Sequence, residues 1–195
     1  LTMNTSQHTK EILLREAIIG DEQQVSQICL QTANSGADAT DLYSYPDLPA
    51  LVWATPYLHF DAHFCFVIEQ DEQLLGYIVC VPDTEAFKRW QHENWWPIVE
   101  KRLRGFEPKT EFDQLGLRAI ENEKKSAPSF AKQFPAHLHI NLLPEAQGTG
   151  FGRKLIEAAC KKLASAQVTG VHLGVSKQNT NAIGFYNALG FQEIA

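Results

Sequence analysis

The sequence predicts an α+β fold, one sheet with helices packed on both sides, in a single domain over residues 1–195. Three observations carry that reading. A strand–turn–strand pattern spans residues 63–81, a strand at 136–143 runs through a glycine-rich loop into an amphipathic helix, and the chain opens with a strand followed by a helix. With 44% hydrophobic and 21% charged residues, the chain can bury enough apolar surface to offset its ordering entropy. Disorder, collagen and coiled coil are thereby excluded.

In chain order, Leu1–Lys10 is polar without the apolar stretch of a secretory signal, and Leu1-Thr2 ahead of Met3 reads as an appended remnant. Ile12–Ala17 reads as a strand. Asp21 is then expected to cap a helix whose Val25, Ile28, Cys29 and Thr32 share one face, with Gln24 completing a capping-box variant. Residues 34–60, rich in Gly, Pro, Asp and Tyr, offer short helical turns around Leu48–Ala54 and are expected to wrap a site or an edge. His63–Glu69 and Leu74–Val81 form a hairpin across Gln70-Asp71-Glu72-Gln73, and Pro82-Asp83 ends its second strand. From residue 83 to 134 the pattern is that of a helical insertion, with Trp90, Trp95, Trp96 and Pro97 early and a helix near Glu111–Lys125 late. Ala136–Leu143 is a strand, Leu155, Ile156, Ala159, Cys160 and Leu163 stripe the next helix, and Gly170–Val175 is another strand. A helix over Asn179–Leu189, stopped by Gly190, and a short strand over Phe191–Ile194 complete the reading.

Charge and cysteine usage bound the function. A net charge of −6 disfavours nucleic acid as a partner, and ten of the seventeen basic residues lie in 83–132. The longest apolar runs, Phe64–Ile68 and Leu74–Val81, are far short of the roughly 20 residues of a membrane helix, so a cytoplasmic chain without membrane contact is expected. Cys29, Cys65, Cys80 and Cys160 form no close pair and read as reduced packing residues.

The junction at Gln147-Gly148-Thr149-Gly150-Phe151-Gly152 is the most informative stretch. A helix N-terminus leaves backbone N–H groups unpaired and carries partial positive charge, which suits a phosphate or pyrophosphate. Glycines at 148, 150 and 152 are expected to allow positive φ and close approach of a ligand. Neither Gly-Lys-Ser/Thr nor G-x-G-x-x-G is present, which sets aside mononucleotide and dinucleotide loops.

This loop matches the Q/R-x-x-G-x-G/A pyrophosphate loop of the GNAT superfamily of N-acetyltransferases, and the chain resembles that family. Asn179-Thr180-Asn181-Ala182 through Phe185-Tyr186 to Gly190-Phe191 is similar to its N-x-x-A…Y-x-x-L-G-F signature. The long insertion, together with His137-Leu138-His139-Ile140 and Leu142-Leu143-Pro144, resembles the acetyltransferase-like domain of O-GlcNAc hydrolases. The resemblance implies a three-layer arrangement around a mixed, mostly antiparallel sheet. It also implies acetyl-CoA in a cleft between the 136–143 and 171–175 strands, transferring acetyl to a small-molecule amine or a peptide or protein lysine by direct attack in a ternary complex. The cofactor residues it implies are Ile140, Asn141, Leu142 and Leu143 on the strand, Gln147 through Gly152 in the loop with Arg153, and Asn179, Ala182, Phe185 and Tyr186. A backbone N–H near Leu142 would polarise the thioester carbonyl. A homodimer is expected by family analogy. The competing reading is an inactive CoA-binding or interaction domain, since the group includes chains without catalysis.

Tyr186 occupies the family's acid position; a packed tyrosine on the Ile183–Tyr186–Leu189 stripe is the plainer reading. For the base, His137, His139 and Asn141 alternate and share a strand face, and His139 is the candidate. No carboxylate lies in that strand. Two histidines at this spacing could ligate a metal with His172 or Glu145, but no further Cys or His pair reinforces the set. Arg153 and Lys154 could supply rim charge or form a solvated helix face. Trp90, Trp95 and Trp96, like Tyr43, Tyr45 and Trp53, could wall the acceptor side or pack the core.

Overall fold

The computed structural model describes residues 11–194, so the reading of the first ten residues lies outside it. Strands β1 (Leu13–Glu16), β2 (Phe66–Gln70), β3 (Gln73–Val81), β4 (Ala136–Leu142) and β5 (Val171–His172) form one sheet in that order. The first four pair antiparallel, and β5 joins β4 in parallel. Helices α1 (Glu22–Thr32), α2 (Leu48–Trp53), α3 (Thr55–Asp61), α4 (Thr84–Trp90), α5 (Trp96–Arg102), α6 (Glu111–Glu123), α7 (Phe151–Ser165) and α8 (Thr180–Ala188) complete it. The mixed, mostly antiparallel sheet flanked by helices is the three-layer α+β arrangement expected.

Alternation along the strands divides the sheet into two apolar faces. Tyr77, Val79 and Val81 of β3 meet Val25 and Ile28 of α1, Tyr57 of α3 and Phe87 of α4. Ile78 and Cys80 of β3 and Leu138 of β4 meet Leu155, Ile156, Ala159 and Leu163 of α7 on the other side. The hairpin turns on Asp71 and Glu72, both left-handed at φ 54° and 64°, so two residues suffice where four were expected. His63 and Phe64 lie in a short 3-10 turn before β2.

The helical insertion is present between β3 and β4, but its packing differs from a simple addition to the sheet. Trp95, Trp96, Val99 and Ile120 bury against Leu48, Leu51 and Val52 of α2, forming a lateral core with the 33–47 loop. The Trp95 indole N–H donates to the Leu51 carbonyl at 2.8 Å. Asp113, fully buried at the start of α6, accepts from the N–H and hydroxyl of Ser44 and from the N–H groups of Lys109 and Thr110, at 2.6–3.1 Å. Burial opposes its charge, but these donors prevail and hold its pKa down at about 2. The loop that precedes α2 is thus fastened to the insertion.

Some local readings require correction. Asp21 does not cap α1 with its side chain; its carboxylate accepts from Ile18 N–H and pairs with Arg15. Gln24 serves the hairpin instead of a capping box, accepting from Leu74 N–H at 2.8 Å and donating to the Glu72 carbonyl. The strand expected over Gly170–Val175 is confined to Val171–His172, and Phe191–Ile194 makes no strand. The apolar pattern there is used against α7 and β4, since Leu173, Tyr186 and Phe191 border that core, and a strand needs a ladder partner as well as a pattern. All four cysteines are free; Cys29 and Cys65 are buried, which pushes both thiols up to about 12.

Candidate active site

The sheet forks at His137. Ladder pairing between β4 and β5 covers Ala136 with Val171 and His137 with His172, and β4 then continues to Leu142 without β5 beside it. The parity of the freed edge follows from two bonds. Ala136 N–H donates toward β5, to Gly170, whereas Leu143 N–H donates toward β3, to Leu75. With clean antiparallel register against β3 throughout, Leu138, Ile140 and Leu142 turn their backbone groups to the open side, and His139, Asn141 and Leu143 turn theirs to β3. Gln147 Nε2 donates to the Leu142 carbonyl at 3.0 Å, which fastens the loop to the end of β4.

The loop itself is shaped by two left-handed glycines, Gly148 at φ 72° and Gly150 at φ 85°, the latter capping α7. Among the described residues the N–H groups from Gly148 to Arg153 donate to no protein acceptor, so a row of donors sits at the positive end of α7. Gly152 has an ordinary helical φ, contrary to expectation; its role is proximity. A Cβ there would stand 3.1 Å from Leu142 and 3.2 Å from Phe185, so its absence lets α7 seat against β4 and α8. The Thr149 hydroxyl donates to the Ala146 carbonyl. Arg153 faces Glu157 at 3.8 Å and the Lys154 ammonium lies over the Phe151 ring, so both side chains have partners on α7.

On the other face of β4 the three alternate side chains have unequal freedom. Tyr57 OH and His137 Nε2 are 2.8 Å apart, and Thr84 Oγ1 is 2.7 Å from His137 Nδ1. Thr84 spends its own hydrogen on the Pro135 carbonyl, so it accepts from Nδ1–H, and Nε2 accepts from Tyr57. Asn141 accepts from Tyr77 OH at 3.0 Å and donates to Thr32 at 2.8 Å, and Thr32 donates on to the Ile28 carbonyl. His139, between these two chains, touches Tyr57 and His137 edge-on but has no hydrogen-bond partner among the described residues. Burial lowers its pKa to about 4, assisted by His172 and opposed by Glu123. Burial and the neighbouring histidines hold His137 well below its usual range.

On α8, Asn179 caps the helix by accepting from Ala182 N–H at 3.1 Å. Phe185 packs at Gly152, and the Tyr186 ring lies between Phe185 and Phe191. Burial pushes the Tyr186 hydroxyl up to about 12, so it holds its proton at neutral pH. The fork, the donor row and α8 therefore adjoin one another, joined at Leu142, Gly152 and Phe185.

A model of the acetyltransferase (GNAT) family matches residues 117–191, a span that runs from α6 through the fork and loop to Phe191. Over nearly the full chain, the crystal structure of SsHAT superposes with a TM-score of 0.87 at 32% identity, covering 95% of this chain and 93% of that one. The chain belongs to the GNAT acetyltransferase family. Protein O-GlcNAcase from Rattus norvegicus is 21% identical over 190 residues, or 96% of this chain, and the mouse (Mus musculus) protein matches to the same extent. This chain spans only 21% of the length of those curated relatives. A GNAT acetyltransferase from Brucella melitensis in complex with acetyl-CoA shares the fold at a TM-score of 0.50 and 18% identity, covering 94% of this chain and 84% of that one.

Within the GNAT frame, the sequence-predicted residues divide by what they do in the protein. Gln147–Gly152, Ile140 and Leu142 converge at the open edge, whereas the backbone groups of Asn141 and Leu143 face the sheet. Tyr57, Thr84, Tyr77 and Thr32, which fix the neighbours of His139, escaped sequence reading in that role because each lies 53 or more positions from its β4 partner. Trp95 and Trp96 belong to the lateral core, and Trp90 bridges that core to the sheet-side one.

Proposed function

We propose that this GNAT chain is an acetyl-CoA-dependent N-acetyltransferase acting on an amine. The observation that carries the reading is the row of unpaired N–H donors from Gly148 to Arg153 beside a strand edge that β5 has left. A pyrophosphate suits those donors, and an amide-bearing pantetheine suits the exposed backbone of Leu138, Ile140 and Leu142 by strand-like pairing. Acetyl-CoA, when bound, supplies the thioester carbonyl carbon that the amine attacks.

The chain's residues then have distinct roles. Leu142 N–H, on the open edge, donates to the thioester oxygen as negative charge develops there. His139, neutral and unbonded, accepts the proton the amine must lose, directly or through water. Tyr186, protonated at neutral pH, would donate its proton to the departing thiol as the new C–N bond forms and the C–S bond breaks. Holding amine and thioester together in the cleft removes several kcal/mol of the barrier.

Titration calorimetry of acetyl-CoA, with Gly150→Trp as control, tests the cleft. Binding that the variant abolishes supports it, and a screen of amines for release of free CoA thiol then tests turnover. Absence of binding by the native chain overturns the proposal.

A further inference from the structure

After Leu163 the packing changes character. No described residue from 164 to 194 is buried, whereas α1, α6 and α7 each seat at least three buried residues. β5 is still anchored. Ala136 N–H donates to the Gly170 carbonyl, and His172 Nδ1–H donates to the Phe134 carbonyl at 2.7 Å. From Leu173 onward that anchoring stops. Among the described residues, every hydrogen bond made by 173–194 is internal to the segment, from the Ser176 turn and the Asn179 cap to the bonds that close α8 at Gly190 and Phe191. What joins it to the rest is apolar contact: Leu173, Phe185, Tyr186, Leu189 and Phe191 lie against the α7-side core, all of them partly exposed.

Contact of this kind has no direction, and α8, at nine residues, is shorter than the roughly 12–15 that an isolated helix needs. Once released it does not persist as a helix, so the segment and its helix open together. Resting on the N-acetyltransferase reading, we infer that residues 173–194 form a strap, hinged at His172, that opens as one unit and closes on acetyl-CoA. In that reading the cofactor lies between the open edge of β4 and α8, and Phe185 already adjoins Gly152 in the donor row. A molecule seated there touches both walls of the fork and supplies the polar links between strap and sheet that the chain does not make itself. Tyr186 is carried on the strap, so the same closure places its hydroxyl.

The test is amide hydrogen exchange of the native chain, followed by mass spectrometry over peptides from α8 and β3, without ligand and with acetyl-CoA at about a hundred times the Kd that calorimetry gives. Without ligand, α8 should exchange at least about a hundredfold faster than β3. With acetyl-CoA, exchange in α8 should slow about a hundredfold, because a strap that closes on the ligand has to release it before opening. Ligand-free exchange in α8 as slow as in β3 overturns the inference whatever the chain binds. Acetyl-CoA that binds by calorimetry but leaves exchange in α8 unchanged also overturns it, and keeps the cofactor reading. Fast exchange in α8 with no binding of acetyl-CoA overturns the closure and the acetyltransferase reading together.

Discussion

The Tyr57 hydroxyl donates to His137 Nε2 across 2.8 Å, and His137 is also the last residue of β4 to pair with β5. The point at which the sheet opens is therefore gripped from α3, while Thr84 grips it from α4. Tyr57→Phe would leave a buried imidazole nitrogen with no donor, at a cost of about 1–3 kcal/mol. For a chain of this size that is a fall in Tm of about 2–4 °C per kcal/mol, measurable by calorimetry. Thr84→Val should act through the same ring, so the double variant should lose less than the sum of the two; strict additivity would show that the chain of bonds is not a unit.

Acid should weaken the fold in two steps. Burial lowers His137 and His139 below the usual 6.5, so their neutral forms fit the folded state and protonation favours the unfolded one. The contribution of His139 is complete above about pH 6.5 and is lost as pH falls toward 4, and His137 acts with the same sign. Asp113 acts with the same sign lower down: its stabilisation is full above its usual 3.8 and disappears toward about 2. Thermal melts from pH 8 to 4 should show Tm declining below about 6.5, and His139→Asn should flatten the upper part of that decline; a native profile flat down to pH 4 would contradict the burial argument.

What the sequence disclosed about this site follows from distance along the chain. The glycine loop, the α7 stripe and the α8 signature are local, so the family resemblance they carry could name Gln147–Gly152, Asn179 and Tyr186 as expected site residues from sequence alone. The alternation of His137, His139 and Asn141 was equally legible. Which of the three is free was not, because the bonds that fix the other two come from Tyr57, Thr84, Tyr77 and Thr32. The tryptophans illustrate the same limit: a helical pattern shows that Trp95 has an apolar environment, but only the fold shows that α2 provides it.

Asp113→Asn should loosen the insertion and leave the loop around Gly150 in place. The substitution keeps the shape but weakens the charge-assisted bonds from Ser44, Lys109 and Thr110, at a cost of about 1.5–3 kcal/mol. Hydrogen exchange should accelerate first in α6 and in the segment before α2, ahead of β3 and β4. Uniform acceleration across the sheet would mean that the lateral core does not open separately.

Leu142 is pressed from two sides, by Gly76 on β3 and by Gly152 on α7. A Cβ at Gly76 would lie 2.5 Å from Leu142 Cδ2 and 3.0 Å from the Asn141 carbonyl, where backbone cannot give way. Gly76→Ala should therefore cost about 1–3 kcal/mol. Gly152→Ala meets side chains only, at 3.1 and 3.2 Å, and gains up to about 1 kcal/mol of helix propensity, so its Tm should change little. Its displacement of Leu142 should instead appear as roughly tenfold weaker acetyl-CoA binding by calorimetry, equivalent to about 1.4 kcal/mol. Unchanged affinity in that variant would detach Leu142 from the proposed cleft.

Tyr186→Phe separates binding from chemistry. The ring is held between Phe185 and Phe191, contacts that phenylalanine preserves, and the hydroxyl has no protein partner among the described residues to lose. Stability and acetyl-CoA affinity should thus remain near native values. If the hydroxyl protonates the departing thiolate, kcat should fall by about 100-fold, as for loss of a general acid. The loss should be smaller for thioesters with more acidic thiols, which leave without a proton. An equal loss for every leaving group would assign Tyr186 to packing and move the proton donor elsewhere in the cleft.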